Sequence, residues 1–193
     1  MAESASHHDN SPLLPTIKLY VRYLRLERNL SPNTIEAYRN DLAHLEAFMM
    51  RNNLKLENVT LEQLHTFAAS LHEYGITPRS QARVLSGVRS FFRFLVLDGV
   101  VESDPTELLE WPSLPEHLPV VLTLEEIDRI EDSIDLSKAE GARNRAIIEV
   151  LFSCGLRVSE LVNMKLSDLY LEDRVLLVRG KGNKERLVPV SNK

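Results

Sequence analysis

Cys154-Gly155-Leu156-Arg157-Val158-Ser159-Glu160-Leu161 decides how this chain is read. Ahead of it, Ala146, Ile147, Val150 and Leu151 recur at helical spacing, which predicts a helix over 142–154 with those four side chains buried. Gly155 fits a left-handed helix end. Ser159 offers a cap for a new short helix carrying Leu161 and Val162. Arg157 then lies in a tight turn between two helices, with Leu156 and Val158 on either side. A guanidinium held in this way is pre-aimed, and its planar fork matches phosphate oxygens. Glu160 reaches toward the same region; an ordinary ion pair with Arg157 or another base also accounts for it.

Twenty residues further on, Gly180-Lys181-Gly182-Asn183-Lys184-Glu185-Arg186 separates two short β-rich runs, Val175–Val178 and Leu187–Val190. The segment is too long for a two-residue turn, so it predicts a protruding basic hairpin. Residues 174–193 hold six cations against the single acid Glu185. Such a loop suits insertion into a groove, and a solvated surface loop is the alternative. Together the two stretches read as part of a site that grips a phosphodiester.

The remaining totals set the frame. The net charge of -5 argues mildly against nucleic acid, but a polyanion feels the face presented to it and not the sum over the chain. Cys154 is the sole cysteine, which excludes an internal disulfide and fits a reducing, cytoplasmic setting. No apolar run approaches the roughly 18 residues that a membrane helix needs. Residues 1–15 lack an apolar core and read as a flexible arm, on which His7 and His8 are incidental neighbours and not a metal site.

From residue 16 the pattern is helical. Ile17, Tyr20, Val21 and Leu24 set one helix over 16–28. Ser31-Pro32 starts a second, with Ile35, Tyr38, Leu42, Leu45 and Met49 inward to about residue 51. Thr60 with Gln63 is a capping box for a third, with Leu64, Phe67, Ala68 and Leu71 inward, closed by Gly75. Thr77-Pro78 starts a fourth, closed by Gly99. At about 100° per residue, Arg79, Arg83, Arg89 and Arg93 share one stripe of that fourth helix with Ser86 and Ser90. Val84, Leu85, Val88, Phe91, Phe92 and Leu95 take the other side. Charged stripes are commonly just solvated, but no acid lies among these four arginines, and a phosphate backbone would supply the missing anion.

Short connections join these helices into a four-helix bundle over 16–111. Pro105, Pro112, Pro115 and Pro119 then crowd one passage, which places an extended linker at 112–119, with Trp111 packed to anchor it. In the second domain, 120–193, Thr123 and Glu126 form a capping box, with Leu124, Ile127 and Ile130 inward. Residues 132–141 read as a polar loop.

These motifs resemble the Xer-type tyrosine recombinases of the phage-integrase-like family. The run Gly155-Leu-Arg157-Val-Ser-Glu160-Leu and the later Gly180-Lys181-Gly-Asn-Lys-Glu-Arg-Leu-Val-Pro189 carry the likeness. Leu30-Ser-Pro-Asn33-Thr34 through Asp41-Leu42, Arg83 through Leu95, and the Asp104-Pro105 and Leu118–Thr123 passages extend it over nearly all of 16–193. The resemblance implies a mainly α fold with a small β-hairpin or sheet: a four-helix, SAM-like core-binding domain followed by the first part of a mixed α/β catalytic domain, together clamping DNA. It implies site-specific strand cleavage and rejoining through a 3′-phosphotyrosyl link, as in chromosome dimer resolution or phage integration, with no metal or nucleotide cofactor.

By that likeness Arg157 is the first catalytic arginine, Glu160 its supporting acid and Lys181 the catalytic lysine acting as general acid. Asn33, Thr34, Arg79, Arg83, Arg89, Lys184 and Arg186 are candidate DNA contacts. The implied partners are a double-stranded recombination site and, in the full-length form, a homo- or hetero-tetramer with a related recombinase. The likeness also fails at one point. The family's His-x-x-Arg pair and nucleophilic tyrosine should follow the hairpin, whereas the tyrosines here are Tyr20, Tyr23, Tyr38, Tyr74 and Tyr170. The chain alone is therefore expected to bind DNA without cleaving it, as a fragment of a longer recombinase. A natural DNA-binding regulator or decoy, or a helical protein-interaction module, are the alternatives.

Overall fold

A computed structural model describes residues 13–114, 119–180, 182 and 184–190. The chain divides into two compact units, Met1–Glu116 and His117–Lys193.

The first unit is built from four helices: α1 (Leu14–Leu26), α2 (Pro32–Arg51), α3 (Leu61–Glu73) and α4 (Pro78–Leu97). Three of their starts are set by capping side chains. Ser31, Thr60 and Thr77 each accept from the backbone N–H three residues on, and Gln63 returns the bond to the Thr60 N–H. Gly75 and Gly99, both at φ +73°, follow α3 and α4, a backbone conformation that costs little without a Cβ. Helix α1 opens at Leu14, earlier than the sequence pattern suggests. Leu13 and Ile17 are buried and a proline fits the first turn, so residues 14 and 15 belong to the bundle and not to an arm. The rest of the expected arm, His7 and His8 included, lies outside the described residues.

One core fills this unit. Tyr20, Phe67, Phe91 and Phe92 are its largest fully buried side chains. Tyr20 meets Phe91 edge-on at 5.2 Å and Phe94 at 5.4 Å, distances at which aromatic quadrupoles attract. Helices α2 and α4 pack closely enough that Gly87 faces Asp41 with no space between them: a Cβ there would lie 2.8 Å from Asp41 Cβ and 2.9 Å from its Oδ2.

The second unit holds α5 (Leu124–Asp132), α6 (Gly141–Ser153), α7 (Val158–Val162) and strands β1 (Leu169–Tyr170), β2 (Val175–Arg179) and β3 (Glu185–Pro189). The strands form one antiparallel sheet in the order β1-β2-β3, with Leu176 opposite Val188 and Arg179 opposite Glu185. Strand β3 thus starts two residues earlier than expected, and β1 is a strand the pattern did not predict, being only two residues long. A short core of Cys154, Leu156, Leu176 and Val178 lies beneath α7 and the sheet.

Several expected burials are corrected here. Ala146 and Ile147 on α6 are exposed, and Val150 and Leu151 are only half-buried. On α5, Ile127 is buried while Leu124 and Ile130 are exposed. Periodicity finds the apolar side of a helix, but burial needs a neighbour on that side, and among the described residues α5 and α6 pack mainly on each other, with α6 also against α7 and the small core by the sheet. Ser159 lies inside α7 and does not cap it; Arg157, in extended conformation at φ -76°, ψ 149°, is the residue before the helix.

The contact beneath Gly87 yields a test. Alanine outranks glycine in a free helix by about 1 kcal/mol, yet Gly87→Ala is expected to destabilise the first unit by about 1–3 kcal/mol, because the new methyl overpacks a buried carboxylate. Urea unfolding followed by the fluorescence of Trp111 measures the sign directly.

Candidate nucleic-acid interface

In the second unit, the α6–α7 turn and the hairpin converge on one carboxylate. Gly155 at φ +58° ends α6 and lets the chain reverse. Glu160, on the first turn of α7, accepts from the Arg157 backbone N–H at 2.9 Å through Oε2 and from Arg157 Nη1 at 2.9 Å through Oε1. From β3, Arg186 donates Nη1 to Oε1 and Nη2 to Oε2, each at 2.9 Å, a bidentate fork. The Glu160 side chain is 3% exposed, whereas that of Arg157 is 70% exposed. Arg186, then Arg157, hold the Glu160 carboxyl far below the usual carboxylate range. Arg157 is therefore a surface guanidinium tethered by one nitrogen; Nε and Nη2 have no protein partner among the described residues.

A second carboxylate holds the other foot of the hairpin. Asp168 accepts from the Lys165 backbone N–H at 3.0 Å and from Arg179 Nη1 at 2.7 Å, and those bonds lower its pKa. Arg179 also donates Nε to Glu185, its cross-strand partner, at 2.9 Å. Between β2 and β3 the Gly180 N–H donates to the Lys184 carbonyl at 2.8 Å. Lys184 is exposed. Lys181, the expected catalytic lysine, lies outside the described residues. Sequence reading missed the Asp168–Arg179–Glu185 group; the signal was there in Lys165-x-x-Asp168, which has the spacing of a capped turn, and in the opposite charges flanking the hairpin.

In the first unit, the expected arginine stripe on α4 divides into different roles. Arg79 and Arg93 are exposed. Arg83 has an acid after all, supplied by α2: its Nη1 lies 2.8 Å from Asp41 Oδ1. The angle is not that of a hydrogen bond, so this is a charge pair. Asp41 is almost fully buried and burial pushes its pKa up, with Arg83 opposing. Arg89 donates Nη2 to the carbonyls of Thr106 (2.9 Å) and Leu109 (3.0 Å), and its guanidinium stacks 4.6 Å from the Trp111 ring centroid. Arg89 thus ties α4 to the segment leaving the bundle, and Trp111 is packed by a cation. Asn33 is exposed at the start of α2, and Thr34 is half-buried. The described residues contain no group of His, Cys, Asp and Glu that could hold a metal, and no helix long and apolar enough to cross a membrane.

Residues 17–99 match the phage integrase N-terminal SAM-like domain, and residues 120–193 match the phage integrase family. The chain belongs to that family, the tyrosine recombinases. The tyrosine recombinase XerD of Pseudomonas putida is 40% identical over 176 residues, covering 91% of this chain and 59% of that protein. The tyrosine recombinase XerC of Oceanobacillus iheyensis is 39% identical over 174 residues, covering 90% and 57%. The chain thus spans somewhat more than half the length of these relatives. Among solved structures, a lambda integrase tetramer bound to a Holliday junction aligns with TM-score 0.72 at 20% identity, covering 97% of this chain and 57% of that one. A lambda integrase (75–356) dimer bound to a COC′ core site aligns at 0.71 and 20% identity, covering 92% and 59%. At that identity the structures support the fold.

The Glu160 cluster has a pH signature. A carboxyl whose folded pKa lies below its ordinary 4.5 adds stability that is complete above that value and disappears as pH falls toward the folded pKa. Amide exchange of β2 and β3 should accelerate as pH drops below about 4.5 once intrinsic rates are divided out. In Glu160→Gln those strands should exchange faster at neutral pH and lose most of this acid dependence. An unchanged acid profile in the variant would show that another carboxylate governs the hairpin.

Proposed function

We propose that this chain is the DNA-gripping part of a site-specific tyrosine recombinase. The observation that carries this is the arrangement at Glu160: a nearly buried carboxylate spends its oxygens on Arg186 and on one nitrogen of Arg157, so the exposed remainder of the Arg157 guanidinium is oriented and undersupplied with anions. A backbone phosphate satisfies that remainder, and in strand cleavage the same donors stabilise charge developing on the non-bridging oxygens. Lys181, by resemblance, protonates the leaving 5′ oxygen, and Lys184 contacts the backbone beside it. Glu160 acts through Arg157 and is a positioning residue.

The helical unit supplies affinity through α4 and the start of α2. Arg79 and Arg93 face solvent, Arg83 leans on Asp41, and Asn33 and Thr34 sit where α2 begins. Arg89 serves chiefly to hold the outgoing segment. The duplex is a recombination site, and the lambda integrase structures, a dimer bound to a COC′ core site and a tetramer bound to a Holliday junction, support DNA binding and tetrameric assembly as the mode of action. A cytoplasmic location suits that work.

Cleavage needs a tyrosine after the hairpin. The five tyrosines of this sequence all precede it, and Tyr20 is wholly buried with its pKa pushed up by that burial. The chain alone therefore binds without breaking DNA. Fluorescence anisotropy with a labelled duplex should show affinity falling steeply between about 50 and 200 mM salt. Incubation with a nicked suicide duplex should give no covalent adduct on a denaturing gel. Salt-independent binding would point to a protein partner, and an adduct would show that one of the five tyrosines attacks.

A further inference from the structure

Four hydrogen bonds converge on the Glu160 carboxylate, and two arginines share them unevenly. Arg186 takes both oxygens, Nη1 on Oε1 and Nη2 on Oε2. Arg157 has only Nη1 on Oε1, besides its backbone N–H on Oε2. Two guanidiniums and one carboxylate leave one surplus positive charge. Exposure decides where that surplus is felt: the Arg157 side chain is 70% exposed and that of Arg186 39%.

Strand register fixes Arg186 in this place. Along β3 the exposed residues are Glu185, Leu187 and Pro189, and Arg186 and Val188 alternate with them on the other face. Arg186 lies opposite Val178 and Val188 opposite Leu176, and both partners are buried. Arg186 thus leaves the strand on its core face, where it meets Glu160 of α7. Gly180, just past β2, closes the arrangement from a third side. A Cβ there would lie 3.2 Å from Glu160 Oε1 and 3.5 Å from Arg186 Nη1, so the backbone leaving β2 rests against the pair.

A carboxylate so far withdrawn from water, with its side chain 3% exposed, keeps its cationic bonds. Without Arg186 both oxygens would lose a donor, and the guanidinium already within reach is that of Arg157. A second bond from Arg157 would turn its single tether into a fork. It would cancel the charge and draw in a nitrogen that now faces solvent. We infer that Arg186 is a positioning residue and not a DNA contact: by filling Glu160 from the hairpin side, it keeps Arg157 singly tethered and open to a phosphate. Strand β3 thereby governs the arginine that precedes α7, through a pairing that spans 26 residues. That Arg157 meets a DNA phosphate rests on the function proposed above; the brace itself rests on the bonds at Glu160.

Modification of arginines by phenylglyoxal, read by peptide mass mapping of the whole chain, measures how open Arg157 is. Arg79, exposed in the helical unit, serves as the reference. Arg186→Met should slow modification of Arg157 several-fold. Arg186→Lys keeps the charge but supplies no fork, and should slow it about twofold. A merely structural role gives the opposite sign, because a loosened turn opens Arg157 further. Unchanged or faster modification of Arg157 in Arg186→Lys would overturn the inference. Duplex affinity supplies a second arm. Arg186→Lys should weaken binding about fivefold in the parent chain and leave it unchanged in an Arg157→Ala background, since it acts through Arg157. Equal losses in both backgrounds would make Arg186 a DNA contact and overturn the inference as well. If the parent chain ignores duplex while the modification pattern holds, the brace stands and the DNA reading falls.

Discussion

A carboxylate withdrawn from water needs cations in fixed places, and Glu160 is such a group. Its partners come from two elements that are far apart in sequence: Arg157 before α7, and Arg186 on β3. Neither element has much core of its own. Four buried apolar side chains lie under this part of the unit, too few to dictate how a five-residue helix and a two-strand ribbon meet. The orientation is therefore carried by directional bonds. The same logic repeats at Asp168, which joins the turn after α7 to Arg179 at the other foot of the hairpin. Gly180 lies against the Glu160–Arg186 pair; a Cβ there would come within 3.2 Å of Glu160 Oε1.

The helical unit uses its acids and bases differently. Its shape is fixed by a dense aromatic and aliphatic core, so charge is free to act at the surface. Two carboxylates of α2, Asp41 and Glu46, are nonetheless buried, and Asp41, in the α2–α4 seam, draws Arg83 down onto that seam. Arg89 is drawn off in another direction, to two carbonyls and an indole. What looks on a helical wheel like one uniform basic stripe is thus four side chains in three situations. Only Arg79 and Arg93 have the character a wheel would assign to all of them.

The helices of the first unit were legible because their signals are local. Ser31-Pro32, Thr60 with Gln63, and Thr77-Pro78 cap through backbone groups three residues away, and each cap is present. Arg157 and Glu160 could be placed around one turn for the same reason. The pairing of Glu160 with Arg186 spans 26 residues and depends on strand register, which no short window contains. Asp41 could have been suspected, since an acid set on the apolar stripe beside Leu42 and Leu45 calls for a buried partner. The partner's identity needed the helix packing. Burial on α5 and α6 was misjudged because amphipathic spacing states what a helix offers and not what covers it.

Strand β3 lies at the border of the sheet, with β2 on one side and no strand on the other among the described residues. Along Glu185–Pro189 the alternate backbone amides and carbonyls on that side have no strand partner among the described residues, and the Pro189 carbonyl accepts from Cys154 Sγ instead. Such a border is a template for accretion: an extended segment from elsewhere could lengthen the sheet by a fourth strand. Proline at 189 withholds one amide, and the ion-paired side chains of Glu185 and Arg186 stand at the opposite end. Accretion is thereby confined to the short stretch around Leu187, whose exposed side chain would set which face the newcomer presents.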